Sequence, residues 1–151
     1  PELIRQGGEK FDEVLTPYDA TFLPAKELLA ILRSVGKPTE GSEPSARYVV
    51  AGGPEVLDIE LGRWAGYGAG GDKASAHVYV IEQYGKFRLP GAVAIIADMA
   101  DKSAAKKEAL AWLERNAAFA QPILAELTKS SSPARAGAEK ALKALSKKKP
   151  S

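Results

Sequence analysis

The sequence predicts an α+β domain: a small, mainly antiparallel sheet over about residues 47–89, packed by helices and flanked by extended N- and C-terminal arms. Three observations lead there. "RYVVA" and "EVLDIEL" flank "GGP" at Gly52 to Pro54, two β-branched or alternating runs around a turn, which is the pattern of a hairpin. "SAHVYVIEQ" alternates in the same way, with Ala76, Val78 and Val80 on one side and His77, Tyr79 and Ile81 on the other. On either side of this centre lie segments with helical spacing, at about 24–35 and 103–128.

Taken in chain order, residues 1–21 have no clear period, and Gly7, Gly8 and Pro17 argue for an extended arm whose Leu3, Ile4, Phe11, Val14 and Leu15 lie against a surface. "FLPAKELLAILRSVGK" reads as a helix. Pro24 suits its first turn, Leu28, Leu32 and Val35 share a face with Leu29 and Ile31 beside it, and Gly36 terminates it. A polar loop spans 37–46. In the expected hairpin Leu57, Ile59 and Leu61 face the core, which turns Asp58 and Glu60 to solvent. A glycine loop runs from Gly62 to about Ala74, and "YGK" turns into a short "FRL" strand stopped by Pro90 and Gly91.

"GAVAIIADMA" fits either a buried strand ending at Asp98 or a short buried helix, and helix is the reading adopted. From Ser103 the helical signal is strong: Leu110, Leu113 and Ala117 form a stripe with Trp112 and Phe119 beside it, and Pro122 should kink or split the helix. After a "KSSSP" linker, Ser132 and Pro133 form a cap and first-turn pair for "ARAGAEKALKALSKKK". Only Leu142 and Leu145 are larger apolar residues there, and an isolated helix of that length is marginal in water. The organisation expected is one domain over 1–128 and a basic helical tail over 129–151.

The chain has 151 residues, 45% apolar and 26% charged, the composition of one ordinary globular domain. It has no cysteine, which excludes disulfides, thiolate metal ligands and a cysteine nucleophile and favours a reducing intracellular or organellar compartment. The longest apolar run, Ala92 to Ala97, is far too short for a membrane span, and Pro1 in place of Met fits a processed N-terminus. The net charge of +2 is uneven: from Lys129 onward seven basic residues face one acidic residue, +6, leaving −4 for the rest.

The glycine loop also holds the strongest suggestion of chemistry. Gly66, Gly68 and Gly71 loosely echo a dinucleotide fingerprint, and Lys73 behind them echoes a phosphate loop. Both echoes require a following helix whose amides meet the phosphate, whereas the next segment reads as a strand, and Asp72 opposes an anion. No cofactor is therefore expected. Trp64 and Tyr67 suggest instead an aromatic partner-binding loop, since such side chains bury much area at little rotamer cost.

His77 is the only imidazole, too few for a multi-histidine metal site, though with Tyr79 on the same strand face it supplies a possible general base. Asp58 and Glu60, roughly 7 Å apart along a strand, are a candidate carboxylate pair. Asp98 and Asp101 form a second acidic pair, with Asp101 suited to cap the helix near Ser103. Lys140, Lys143 and Lys147 recur at helical spacing and run into Lys148 and Lys149, a basic face suited to an acidic protein, a phosphate backbone or an anionic surface.

The function expected from these features is a non-catalytic accessory or structural subunit of a larger protein assembly. Its contacts to other subunits are expected through the terminal arms and the aromatic loop, at Trp64, Tyr67, Lys140, Lys143, Lys147, Lys148 and Lys149. The alternatives are a nucleic-acid-associated protein using the basic tail and a small enzyme using His77 or the Asp58/Glu60 pair.

Overall fold

The computed structural model describes residues 22–34, 44–64, 74–102 and 105–147. Among them there are eight helices and no strand: α1 (Ala25–Ser34), α2 (Ala46–Gly52), α3 (Glu55–Trp64), α4 (Ala74–Tyr84), α5 (Pro90–Lys102), α6 (Lys106–Arg115), α7 (Ala117–Thr128) and α8 (Arg135–Lys147). The expected α+β fold is thereby corrected to an all-helical one. The expected N-terminal arm and most of the glycine loop, Tyr67 included, lie outside the described residues.

The error over 47–89 has a definable cause. In α3 the buried positions are Val56, Leu57, Glu60, Leu61, Arg63 and Trp64, which is helical spacing only when the charged Glu60 and Arg63 are counted as core residues. With Glu60 assigned to solvent, Leu57, Ile59 and Leu61 leave an apparent alternation of period two. In α4 the same thing happens around His77, which is buried with Val80, Ile81 and Tyr84 at i, i+3, i+4 and i+7. A carboxylate and an imidazole at core positions hid two helices.

The expected hairpin turn is a helix–helix junction. Ser45 caps α2, its side chain accepting a hydrogen bond from the Arg47 amide at 3.1 Å. Gly53, at φ +86°, takes a conformation that other residues rarely adopt, and its N–H closes α2 by bonding the Val49 carbonyl at 2.8 Å. Residues 85–89, where a short strand was expected, form a turn and an irregular stretch leading into α5.

The C-terminal half follows the helical reading with two corrections. The long helix breaks at Asn116, not at Pro122, which sits inside α7. Asn116 turns its side-chain amide back onto the Trp112 carbonyl at 2.8 Å, an alternative to the helical bond of the kind that short polar side chains offer. The expected tail is a packed element: Ala134, Ala138 and Ala141 are fully buried and Leu145 nearly so.

Helix α5 is the centre of the molecule. It is buried continuously from Ala92 to Ala100 and packs against α3, α6, α7 and α8. The closest approach is to α8, where a Cβ on Gly137 would lie 2.0 Å from the Ala97 carbonyl oxygen. Only a residue without a side chain lets the two backbones meet this way. The seam is flanked by ion pairs from Lys102 to Asp98 at 3.0 Å within α5 and from Lys140 to Asp101 at 3.5 Å across it. Asp101 is thus in the last turn of α5 and faces α8, in place of the capping role expected for it. At the other end, α1, α2 and α3 pack on one another, and α4 packs against α2, α5 and α6.

Candidate functional site

Two places concentrate chemistry or open surface: a buried polar node between α3 and α4, and a groove between α3, α5 and α7. The node is built on one face of α3. Residues 60, 63 and 64 fall at i, i+3 and i+4, so Glu60, Arg63 and Trp64 project together into the core. The Arg63 guanidinium donates to Glu60 Oε1 at 2.7 Å, and the Trp64 indole N–H donates to Oε2 at 3.0 Å. From α4, the Tyr84 hydroxyl donates to the same Oε2 at 2.5 Å. One carboxylate, with no surface exposed, therefore collects three donors from two helices.

The node reaches a third helix through Tyr84. Its hydroxyl accepts the Ser45 amide at 3.3 Å, while Gln83 Oε1 accepts the Ala46 amide at 2.9 Å, so the end of α4 satisfies two amides at the start of α2. Burial first, and then the Glu60 charge and the hydrogen bond to it, raise the Tyr84 phenol well above its ordinary range. Tyr84 is thus kept as a neutral donor. His77 lies edge-on to Trp64, with ring centroids 6.2 Å apart and planes at 79°.

This arrangement redistributes the residues expected at a site. Trp64, expected on a surface loop, is the last residue of α3 and 3% exposed, so its indole is a core group. His77 is 1% exposed, while Tyr79, expected on its face, is 41% exposed. The reason is the change of period from two to 3.6, which separates residues i and i+2 by more than half a turn. The same change splits the carboxylate pair: Asp58 is exposed on α3 and Glu60 is buried. Lys140, Lys143 and Lys147 are exposed on α8, with Lys140 paired to Asp101, and Lys148 and Lys149 lie outside the described residues.

Gly66, Gly68, Gly71, Asp72 and Lys73 also lie outside the described residues. Their flanks are described: the segment joins helix α3 to helix α4. The objection that a strand follows the glycines falls away. The strand that precedes the glycines in both nucleotide motifs is absent in turn, because α3 stands in its place. Among the described residues no group of three or more His, Cys, Asp or Glu side chains is arranged to hold a metal ion.

The groove has a volume of about 470 Å³ and opens to solvent. Its floor is the first turns of α5, including Gly91 and Ala94; Leu61 of α3 and Ile123 and Leu127 of α7 line its sides. Asp58 stands on the α3 wall and Glu126 on the α7 wall, so each side carries one carboxylate. Glu126 makes a loose, exposed pairing with Lys129 at 3.8 Å. The two serines at its end, Ser130 and Ser132, are engaged locally, Ser130 Oγ on the Leu127 carbonyl and Ser132 Oγ on the Ala134 amide.

Neither the node nor the groove was found from sequence. The node had a signal, Glu-x-x-Arg-Trp at 60–64, legible only to a helical reading of that segment. The groove had none, because its lining comes from three separated helices. The chain matches no protein-family model, no curated protein and no solved structure. Among the described residues no helix is long and apolar enough to cross a membrane.

Proposed function

We propose that the chain is a non-catalytic accessory or structural subunit of a larger protein assembly. The observation that carries this reading is a division of labour. The side chains best suited to proton transfer or charge stabilisation, Glu60, Arg63, His77 and Tyr84, are sealed in the core, and three of them are bonded to one another. Among the described residues an apolar groove is open to solvent. A general base must reach a substrate proton, and both oxygens of Glu60 already accept donors of the chain itself. An open groove with an apolar lining and carboxylates at its rim matches the apolar centre and polar rim of a protein interface.

The nucleic-acid reading rests on the solvent face of α8. It is weakened there, since Arg135 pairs with Glu139 at 3.3 Å and Lys140 with Asp101, reducing the charge available to phosphates. Gentle isolation of the native protein, with its hydrodynamic size and co-purifying chains measured, tests the proposal. A stoichiometric protein complex is expected. A chain that runs alone at its native concentration contradicts it, and a nuclease-sensitive complex favours the α8 reading.

A further inference from the structure

We infer that the groove between α3, α5 and α7 docks a lysine- or arginine-flanked amphipathic helix of a partner protein; the inference rests on the subunit reading above and specifies its contact. Three properties of the groove select this occupant. The lining formed by Leu61, Ala94, Ile123 and Leu127 is apolar and gains by covering. The walls carry Asp58 on one side and Glu126 on the other, so basic side chains on both flanks of an inserted apolar face meet opposite charge. The described residues have no strand and hence no sheet edge to extend, and the groove's lining holds neither the aromatic side chains that dock polyproline segments nor arginines for a phosphorylated motif, so a helix laid in the groove is the peptide mode that fits.

The space, about 470 Å³, is open to solvent along its lining residues. It is an open trough, which suits side chains projecting from a rod at i, i+3 or i+4 and i+7. The chain's own α8 is a poor occupant for a second copy. Its larger apolar residue Leu145 is buried at home, Leu142 is half-buried, and its outward face is lysine with no large apolar group among the described residues. The pairing of Glu126 with Lys129 is exposed on both sides, so an incoming base can replace Lys129 at little cost.

The test uses the full chain and a synthetic amphipathic helical peptide with leucines at i, i+3 and i+7 and lysines on both flanks, beside a twin with glutamates in place of the lysines. Binding is followed by amide chemical shifts and by anisotropy of a labelled peptide. Shifts confined to α3, α5 and α7 are expected for the lysine peptide and none for the glutamate twin. The surface variant Asp58→Lys with Glu126→Lys should weaken the lysine peptide about tenfold and admit the glutamate twin, because attraction on both walls becomes repulsion. Ile123→Asp should weaken the lysine peptide and, added to the charge-reversed variant, the glutamate twin as well.

Equal binding of the two peptides, or binding that none of these variants changes, overturns the inference. So does concentration-dependent self-association that the peptide displaces, which assigns the groove to a second copy. Were the peptide to fail while the native chain still co-purified with protein partners, the groove assignment would fall and the subunit reading would stand.

Discussion

The contact of α3 with α4 and the contact of α5 with α8 are both buried, and they are held by opposite means. At the first, large side chains with polar tips, Arg63, Trp64 and Tyr84, converge on a single carboxylate. At the second, Gly137 brings the backbone of α8 directly onto that of α5 at Ala97, in a run with the buried small residues Ala134, Ala138 and Ala141. The polar node concentrates its dependence on one residue, because each donor left without Glu60 is a buried group out of water. The small-residue seam spreads its dependence over many weak contacts, each worth little alone. The first should fail when atoms are removed and the second when atoms are added.

The largest expected effect is at the centre of the node. Glu60→Ala leaves the Arg63 charge and two neutral donors buried together and should cost about 3–5 kcal/mol, the usual range for breaking a buried pair from one side. Chemical denaturation of the purified variant measures it. A loss below about 1 kcal/mol would mean that the Arg63 charge is held by groups other than Glu60, and that the node does not depend on that carboxylate. Next is the seam: Gly137→Val drives a branched side chain into the Ala97 carbonyl and should cost about 1–3 kcal/mol, the range for overpacking. Amide hydrogen exchange should rise first in α8, and a variant as stable as the parent would show the seam to be looser than described.

Tyr84→Phe is a change of similar size and more informative. It strips one donor from Glu60 and the acceptor of the Ser45 amide, for a loss of about 1–3 kcal/mol. It also has a pH signature. Because the folded protein raises the Tyr84 phenol above its ordinary 10.0, ionisation favours the unfolded chain. The stabilisation is whole below pH 10.0 and is lost as pH rises from there through the folded value. The gap between parent and variant should therefore be constant at neutral pH and narrow in strong alkali. The smallest effect belongs to Lys140→Ala, whose half-exposed pair with Asp101 should contribute no more than about 0.2–1 kcal/mol and less in high salt.

The two contacts also differ in how far they could be read from sequence, for related reasons. Helix α1 was legible because its apolar residues Leu28, Leu29, Ile31 and Leu32 fall where a helix needs them, with the charges outside. Helix α5 was legible by length and apolarity. Helices α3 and α4 were not, since Glu60 and His77 occupy core positions that a hydrophobic pattern assigns to solvent; at Glu60 three donors make good the cost of burial. Helix α8 was legible as a helix and not as a core element. Residues 134, 137, 138, 141 and 145 repeat with the helical period, yet four of the five are alanine or glycine and add little to any measure of hydrophobicity. Asn116 as the break, in place of Pro122, depends on one side-chain bond. The groove depends on where three helices come to rest, which no local pattern records.

The central claim is that the node serves the fold and the surface serves the partner. It is tested most directly by replacing the node with apolar residues of similar volume, Glu60→Leu, Arg63→Met, Trp64→Phe and Tyr84→Phe together, and measuring whether the folded variant enters the native assembly. Replacing a whole buried charged group in this way is often neutral or stabilising, in contrast to removing one partner. The account predicts a helical, cooperatively melting protein recovered in the same complex as the parent. A variant that folds and melts like the parent yet is absent from that complex would contradict it, and would make the Glu60 node part of the function.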